Sequence, residues 1–314
     1  MCDDVPTVGC MAAPRVALAA LGSGPVVDDT ASVHDEPGPR RPVLASATVP
    51  EVVVRVLGPV DVLGAARPFS RAWTLELVVY LAMHPRGVTA DAWTTALWPD
   101  RLLADATRHS TVSAARRALG RRASGGDHLP RCGGTARLAT SVTTDWDRFQ
   151  ALAVGPDPAP DAWRAALALV RGRPFDGLRA ADWTVLEGVA ARVEDAIVQL
   201  AIRCSEHCLA LGDGRGAELA IRRGLIASPY DERLYRQLMV AADLQGNPAG
   251  VEAAMGELLR VTAPDGSVAG GSGAVHDDAM AWVHPDTAAL YCSLSRRRAA
   301  VRGLPGTFRA GAWE

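Results

Sequence analysis

Eight arginines fall between residues 101 and 137: Arg101, Arg108, Arg116, Arg117, Arg121, Arg122, Arg131 and Arg137. Only Asp105 and Asp127 oppose them over that stretch, in a chain whose formal net charge is −2. A guanidinium stays protonated and donates through a planar fork, to a phosphate or bidentately to guanine. A local cationic excess of this kind is what contact with a nucleic-acid backbone requires, whatever sequence is read. The same run of charge also serves as an ordinary solvated face. The elements that carry the arginines must decide between the two.

Other reactive residue types form no comparable constellation. The chain has no lysine, so all 33 basic residues are arginine and a Gly-x-x-x-x-Gly-Lys-Ser/Thr phosphate loop is excluded. No His-Glu-x-x-His and no Gly-x-Ser-x-Gly occurs. Cys204, His207 and Cys208 lie together on one helical stretch, but a tetrahedral zinc site needs about four ligands. Small buried side chains are the better reading of the two cysteines. Trp73, Trp93, Trp98, Trp146, Trp163 and Trp183 read as packing anchors rather than a ligand cage. His109, among the arginines, is either a DNA contact, a pH-sensitive group or an exposed bystander. No catalytic residue, metal or cofactor is expected. The six cysteines are irregularly spaced, which implies free thiols in a reducing compartment. Asp3 and Asp4 stand where a signal peptide needs positive charge, and Val16 to Leu21 is too short to span a membrane. A cytoplasmic, non-membrane protein is expected.

The elements around the arginine cluster can be read from periodicity. Residues 1–49, broken by Gly22-Ser23-Gly24-Pro25 and Glu36-Pro37-Gly38-Pro39, read as a disordered lead. Val52 to Leu57 and Val60 to Leu63, separated by Gly58-Pro59, predict a small antiparallel sheet. A first helix follows from Arg71 to about His84. Thr89 caps a second that runs to Leu97 and closes at Pro99. A third helix is expected from about Ala104 to Arg122, with Val112, Ala115 and Leu119 toward the core. On that phase Thr107, Ser110, Thr111 and Ala114 point outward, and Arg117 and Arg121 extend the outer face. Extended pieces at 129–132 and 135–138, joined through Gly133-Gly134, predict a hairpin beside this helix. An α-helix fits the major groove of B-DNA, and a neighbouring hairpin reaches backbone or minor groove. The candidate DNA-contacting set is therefore Thr107, Arg108, Ser110, Thr111, Ala114, Arg116, Arg117, Arg121 and Arg137.

Beyond Asp145 the pattern is helical, with helices expected near 146–154, 160–170, 183–211, 214–227, 231–245 and 248–262. A last helix is expected from Pro285 to about Arg298. Gly212-Asp213 recurs as Gly246-Asn247, and Ala217 and Ala220 as Val251 and Ala254, all at an offset of 34 residues. That offset is the period of tetratricopeptide-type helix pairs. The fold class expected is mainly α: an N-terminal winged helix-turn-helix over 50–145, then an all-α tetratricopeptide-like domain over 146–300 and a tail over 301–314.

These segments bear a family resemblance. Val54-Arg55-Val56-Leu57-Gly58-Pro59-Val60, Leu97-Trp98-Pro99-Asp100 and Ser113-Ala114-Ala115-Arg116-Arg117-Ala118-Leu119-Gly120 resemble successive motifs of the Streptomyces antibiotic regulatory proteins. Trp146-Asp147-Arg148-Phe149, Ala227-Ser228-Pro229-Tyr230-Asp231-Glu232 and His284-Pro285-Asp286-Thr287 resemble their activator domain. The resemblance implies a transcriptional regulator that holds double-stranded promoter DNA through its third helix and wing. It also implies that the helical domain supplies a dimer surface, a partner groove or contact with RNA polymerase. Ala114 and Ala115 depart from the family's Ser-Arg-Leu-Arg-Arg pattern, and Arg108 sits where an apolar residue is usual. Those departures support a second reading, a helical-repeat scaffold whose winged helix no longer binds DNA.

Overall fold

The computed structural model describes residues 52–131, 133–154, 160–262 and 282–302. The expected disordered lead, the tail after 302, Cys2, Cys10 and Cys132 lie outside the described residues.

Strand β1 (Val52–Arg55) is β-branched and alternately buried, and it pairs with two neighbours. One is β2 (Asp61–Leu63), antiparallel, and the other is the distant β5 (Val142–Thr144), parallel, which gives the order β2-β1-β5. The β1–β2 pairing matches expectation, whereas the closure by β5 has no local signal. Three helices follow: α1 (Ala72–Met83), α2 (Ala90–Leu97) and α3 (Asp105–Leu119). The Thr89 hydroxyl accepts the Ala92 N–H and starts α2. Leu77, Val78, Leu81, Trp93, Leu97, Ala115, Leu119 and Leu129 are fully buried where these helices meet the sheet. Each large apolar side chain among them contributes about 1.5–3 kcal/mol on burial.

The expected hairpin across Gly133-Gly134 does not form. The short β4 (Thr135–Ala136) pairs instead with β3 (Val88–Thr89), the residues immediately before α2. Residues 121 and 127 form only an isolated bridge. Two extended pieces beside a glycine pair suggest mutual pairing, but here a strand from before α2 supplies the ladder. Helix α3 also ends three residues short of expectation. Gly120 adopts φ +81, closing the helix before Arg121, and a Cβ there would strike that of Ala66.

The helical half comprises α4 (Asp145–Ala153), α5 (Pro160–Ala168), α6 (Asp182–Leu186), α7 (Val189–Ala210), α8 (Gly214–Ala227), α9 (Glu232–Leu244), α10 (Pro248–Thr262) and α11 (Pro285–Arg302). The single helix expected over 183–211 is two, because Gly188 takes a left-handed conformation between α6 and α7. The 34-residue repeat has a structural counterpart. Gly212 and Gly246 both have positive φ, and Asp213 and Asn247 each accept an N–H three residues on. Ala217, Ala220, Val251 and Ala254 are all buried between helices.

The two halves are joined through buried carboxylates. Asp145 caps no helix of its own, but accepts the N–H groups of Val56 (2.7 Å) and Leu57 (3.2 Å). Burial pushes its carboxyl up from the usual range, opposed by those N–H groups and by Arg171. Glu76, in α1, accepts the N–H groups of Arg179 (2.7 Å) and Ala180 (2.9 Å). Tyr80 and His84 both bond the Glu187 carboxylate, with Trp183 packed edge-on against Tyr80. Residues 48–314 accordingly cluster as one compact unit.

Candidate nucleic-acid interface

Helix α3 presents a face rotated from the expected one. Thr111, Ala115, Ala118 and Leu119 are buried, while Val112 is half-buried. The helical period then places Ala106, His109, Ser113 and Arg117 on the opposite face, with Ser110 and Arg116 at its margins. Thr111 is thus not an outward contact. Its hydroxyl donates to the Thr107 carbonyl (2.9 Å), which satisfies the polar group inside the fold. Ala114 is half-buried on the flank. Thr107, Ser110, Arg117, Arg121 and Arg137 are exposed, as expected of contact residues.

Two of the candidate arginines are occupied internally. Arg108 bonds Asp91 (2.8 Å) and also Asp105, and the Asp105 bond pushes its pKa further up. Arg116 donates through Nε to the Leu129 carbonyl (2.8 Å) and lies 3.7 Å from Asp127. It ties the end of α3 to the following loop. Arg117 reaches only Ser113 on its own helix (3.1 Å). Arg101, Arg121, Arg131 and Arg137 are exposed and make no ion pair among the described residues. His109 and Arg131, both exposed, and the half-buried Ser113 are absent from the expected set but border the outer face. The spacing of Thr111, Ala115 and Ala118 is the signal that would have set the phase correctly. It was hidden because threonine reads as polar until its hydroxyl is seen bonded to the preceding turn.

Beside α3, on the wing side, runs an open groove of about 810 Å³. Trp93, His109, Val112, Ser113, Arg131 and Thr135 are among its walls. Asp91 and Asp105 also line it. The face therefore combines a helix, a short two-stranded wing, cationic margins and hydroxyl groups able to meet base edges or phosphates. No His/Cys/Asp/Glu cluster able to hold a metal occurs among the described residues. Cys204 and Cys208 are buried, and burial holds the Cys204 thiol up at about 11, opposite to what a reactive or metal-binding thiolate needs.

Residues 144–260 match the family model of the bacterial transcriptional activator domain. This segment is a bacterial transcriptional activator domain. The chain thus carries a domain of bacterial transcriptional regulators, formed by α4 to α10. A solved structure of Mycobacterium tuberculosis EmbR in complex with a low affinity phosphopeptide shares the fold. The match covers 80% of this chain and 71% of that one, at 23% identity and a TM-score of 0.50. No curated protein is detectably similar in sequence. No helix among the described residues is long and apolar enough to cross a membrane.

Proposed function

We propose that this regulator binds double-stranded promoter DNA through α3 and the β3–β4 wing and activates transcription in the cytoplasm. The observation that carries this reading is the outward face of α3. His109, Ser110 and Arg117 are exposed there and Ser113 is half-buried, with Arg101 beside Ser110 on one flank and Arg131 beside His109 on the other. An exposed helix face with hydroxyl groups and unpaired arginines beside it suits a polyanion, in a chain whose net charge is only −2. In this reading α3 enters the major groove and Arg137 meets the backbone from the wing. The activator domain then supplies a dimer surface or a contact with RNA polymerase, since paired repeat helices build concave surfaces suited to protein partners. The chemistry is recognition, with no catalytic step.

The internal pairing of Arg108 and Arg116 favours the second reading, a helical-repeat scaffold with a winged helix that does not bind DNA. Fluorescence anisotropy of the full chain with random-sequence duplex across a salt series separates the two. Binding that weakens steeply with salt and falls at least tenfold in Arg117→Ala/Arg137→Ala supports the regulator on DNA. No binding at low salt would leave the scaffold reading.

A further inference from the structure

On the flank of α3 away from the wing lies a second, smaller pocket of about 170 Å³. Its walls include Arg71, Trp73 and Thr74 from the start of α1, Trp98 and Arg101 after α2, and Thr107 and Ser110 on α3. No carboxylate lines it. The wing-side groove, by contrast, holds Asp91 and Asp105. Arg71 and Arg101 are both exposed and make no ion pair among the described residues. Helix α1 begins with no side-chain cap and no acidic residue in its first turn, which leaves the positive end of its dipole uncompensated. Thr74 adds an observation independent of the helix end. It is only 4% exposed and lines this pocket, yet its hydroxyl has no hydrogen-bond partner among the described residues. The neighbouring hydroxyls of Ser110 and Thr111 both donate to the Thr107 carbonyl. A hydroxyl that opens into a pocket with no protein partner is left to bond a ligand or water there.

We infer that this pocket is a socket for one backbone phosphate of duplex DNA. The inference rests on the DNA-binding reading above. Two guanidinium groups, a helix N-terminus and the unpartnered Thr74 hydroxyl line one small pocket. That space accommodates a single phosphate with its hydrating waters. Its position matters as well. Thr107 and Ser110 form one wall of the socket, and the wing lies beyond the other flank of α3. A helix seated in the major groove would thus be clamped on the backbone at both sides. Contacts of this kind position the protein and carry no sequence information themselves.

The test compares the full chain with Arg71→Gln/Arg101→Gln, and separately with the near-isosteric Thr74→Val, by anisotropy on several random-sequence duplexes across a salt series. The double substitution should weaken binding equally on every duplex and reduce the salt slope by about two. Thr74→Val should weaken binding in the same uniform way with the slope unchanged. A scan of single methylphosphonate substitutions along one duplex should find a position that weakens wild-type binding but leaves the double variant unaffected. Circular dichroism of both variants checks that they remain folded. If the wild type binds DNA while the double variant keeps the same affinity, slope and methylphosphonate profile, the socket is overturned and the DNA-binding reading stands. If the wild type binds no DNA, both fall. Saturation of the wild type by millimolar inorganic phosphate without DNA binding would reassign the pocket to a free anion.

Discussion

At the scale of single residues, the phenols respond to pH most clearly. Tyr80, Tyr235 and Tyr291 are three of the chain's four tyrosines, and burial is the first cause that raises each to about 12. Glu187 beside Tyr80 and Glu252 beside Tyr291 raise those two further. In the unfolded chain a tyrosine releases its proton near 10. Between about pH 10 and 12 the folded state therefore binds more protons than the unfolded one, and stability falls as pH rises through that window. Most tyrosinate absorbance at 295 nm should appear late, together with loss of helical circular dichroism. Full ionisation near pH 10 with helicity retained would contradict this. The three phenols also tie segments together, since Tyr80 bonds Glu187 across the two halves and Tyr235 bonds the Pro229 carbonyl (3.0 Å).

At the scale of elements, the rotation of α3 is the finding on which the interface depends. Ala115 and Leu119 are inward as expected, but Thr111 and Ala118 join them and Val112 is half-buried, which turns the inner face by about 50°, half of the 100° between residues. The two phases differ in what they predict for Thr111, with Ser113 outward in both. Thr111→Arg places a charge in the core beneath α3 and should cost about 3 kcal/mol or more, read as the shift in urea midpoint. Ser113→Arg adds a charge to the outer face, should change stability by less than about 0.5 kcal/mol, and should tighten DNA binding. Equal tolerance of both substitutions would restore the phase expected from periodicity. Elsewhere the helices are well marked. Thr89 and Thr144 cap α2 and α4, with a full capping box at Thr144 and Asp147, and these caps were readable because Ser and Thr reward that position locally.

At the scale of the whole molecule, the boundary expected at 145 is crossed by buried polar bonds rather than by a linker. Glu76 reaches 103 residues along the chain to the Arg179 N–H, and Asp145 reaches back 89 to the Val56 N–H. Removing the Asp145 carboxylate would leave two buried N–H groups unsatisfied, at about 1–3 kcal/mol each, whereas those that Glu76 accepts are part-buried and cost less. Urea unfolding followed by tryptophan fluorescence and by helical circular dichroism should give coincident transitions for the wild type. Glu76→Ala should lower both midpoints together or split them, with the half that contains α1 to α3 unfolding first. Two well-separated transitions in the wild type would show instead that the halves fold independently.

The sequence by itself determined the order and kind of the elements: β1–β2, three helices, and the helix pairs repeating at 34 residues. Those features depend on interactions within a few residues, namely apolar period, caps and glycine breaks, so they are written locally. Tertiary structure decided the rest. The third strand β5 joins β1 from 90 residues away, β4 pairs with β3 instead of its glycine-linked neighbour, and α3 turns its threonine inward. It also decided which arginines are available. Arg108 and Arg116 look like the others in the sequence, but Asp91, Asp105, Asp127 and the Leu129 carbonyl engage them, leaving Arg117 and its neighbours to face outward. Charge type is set by the residue, whereas its availability is set by partners the chain brings from elsewhere. The pocket formed by Arg71, Thr74 and Arg101 could not be read from spacing, because its walls come from three separate elements.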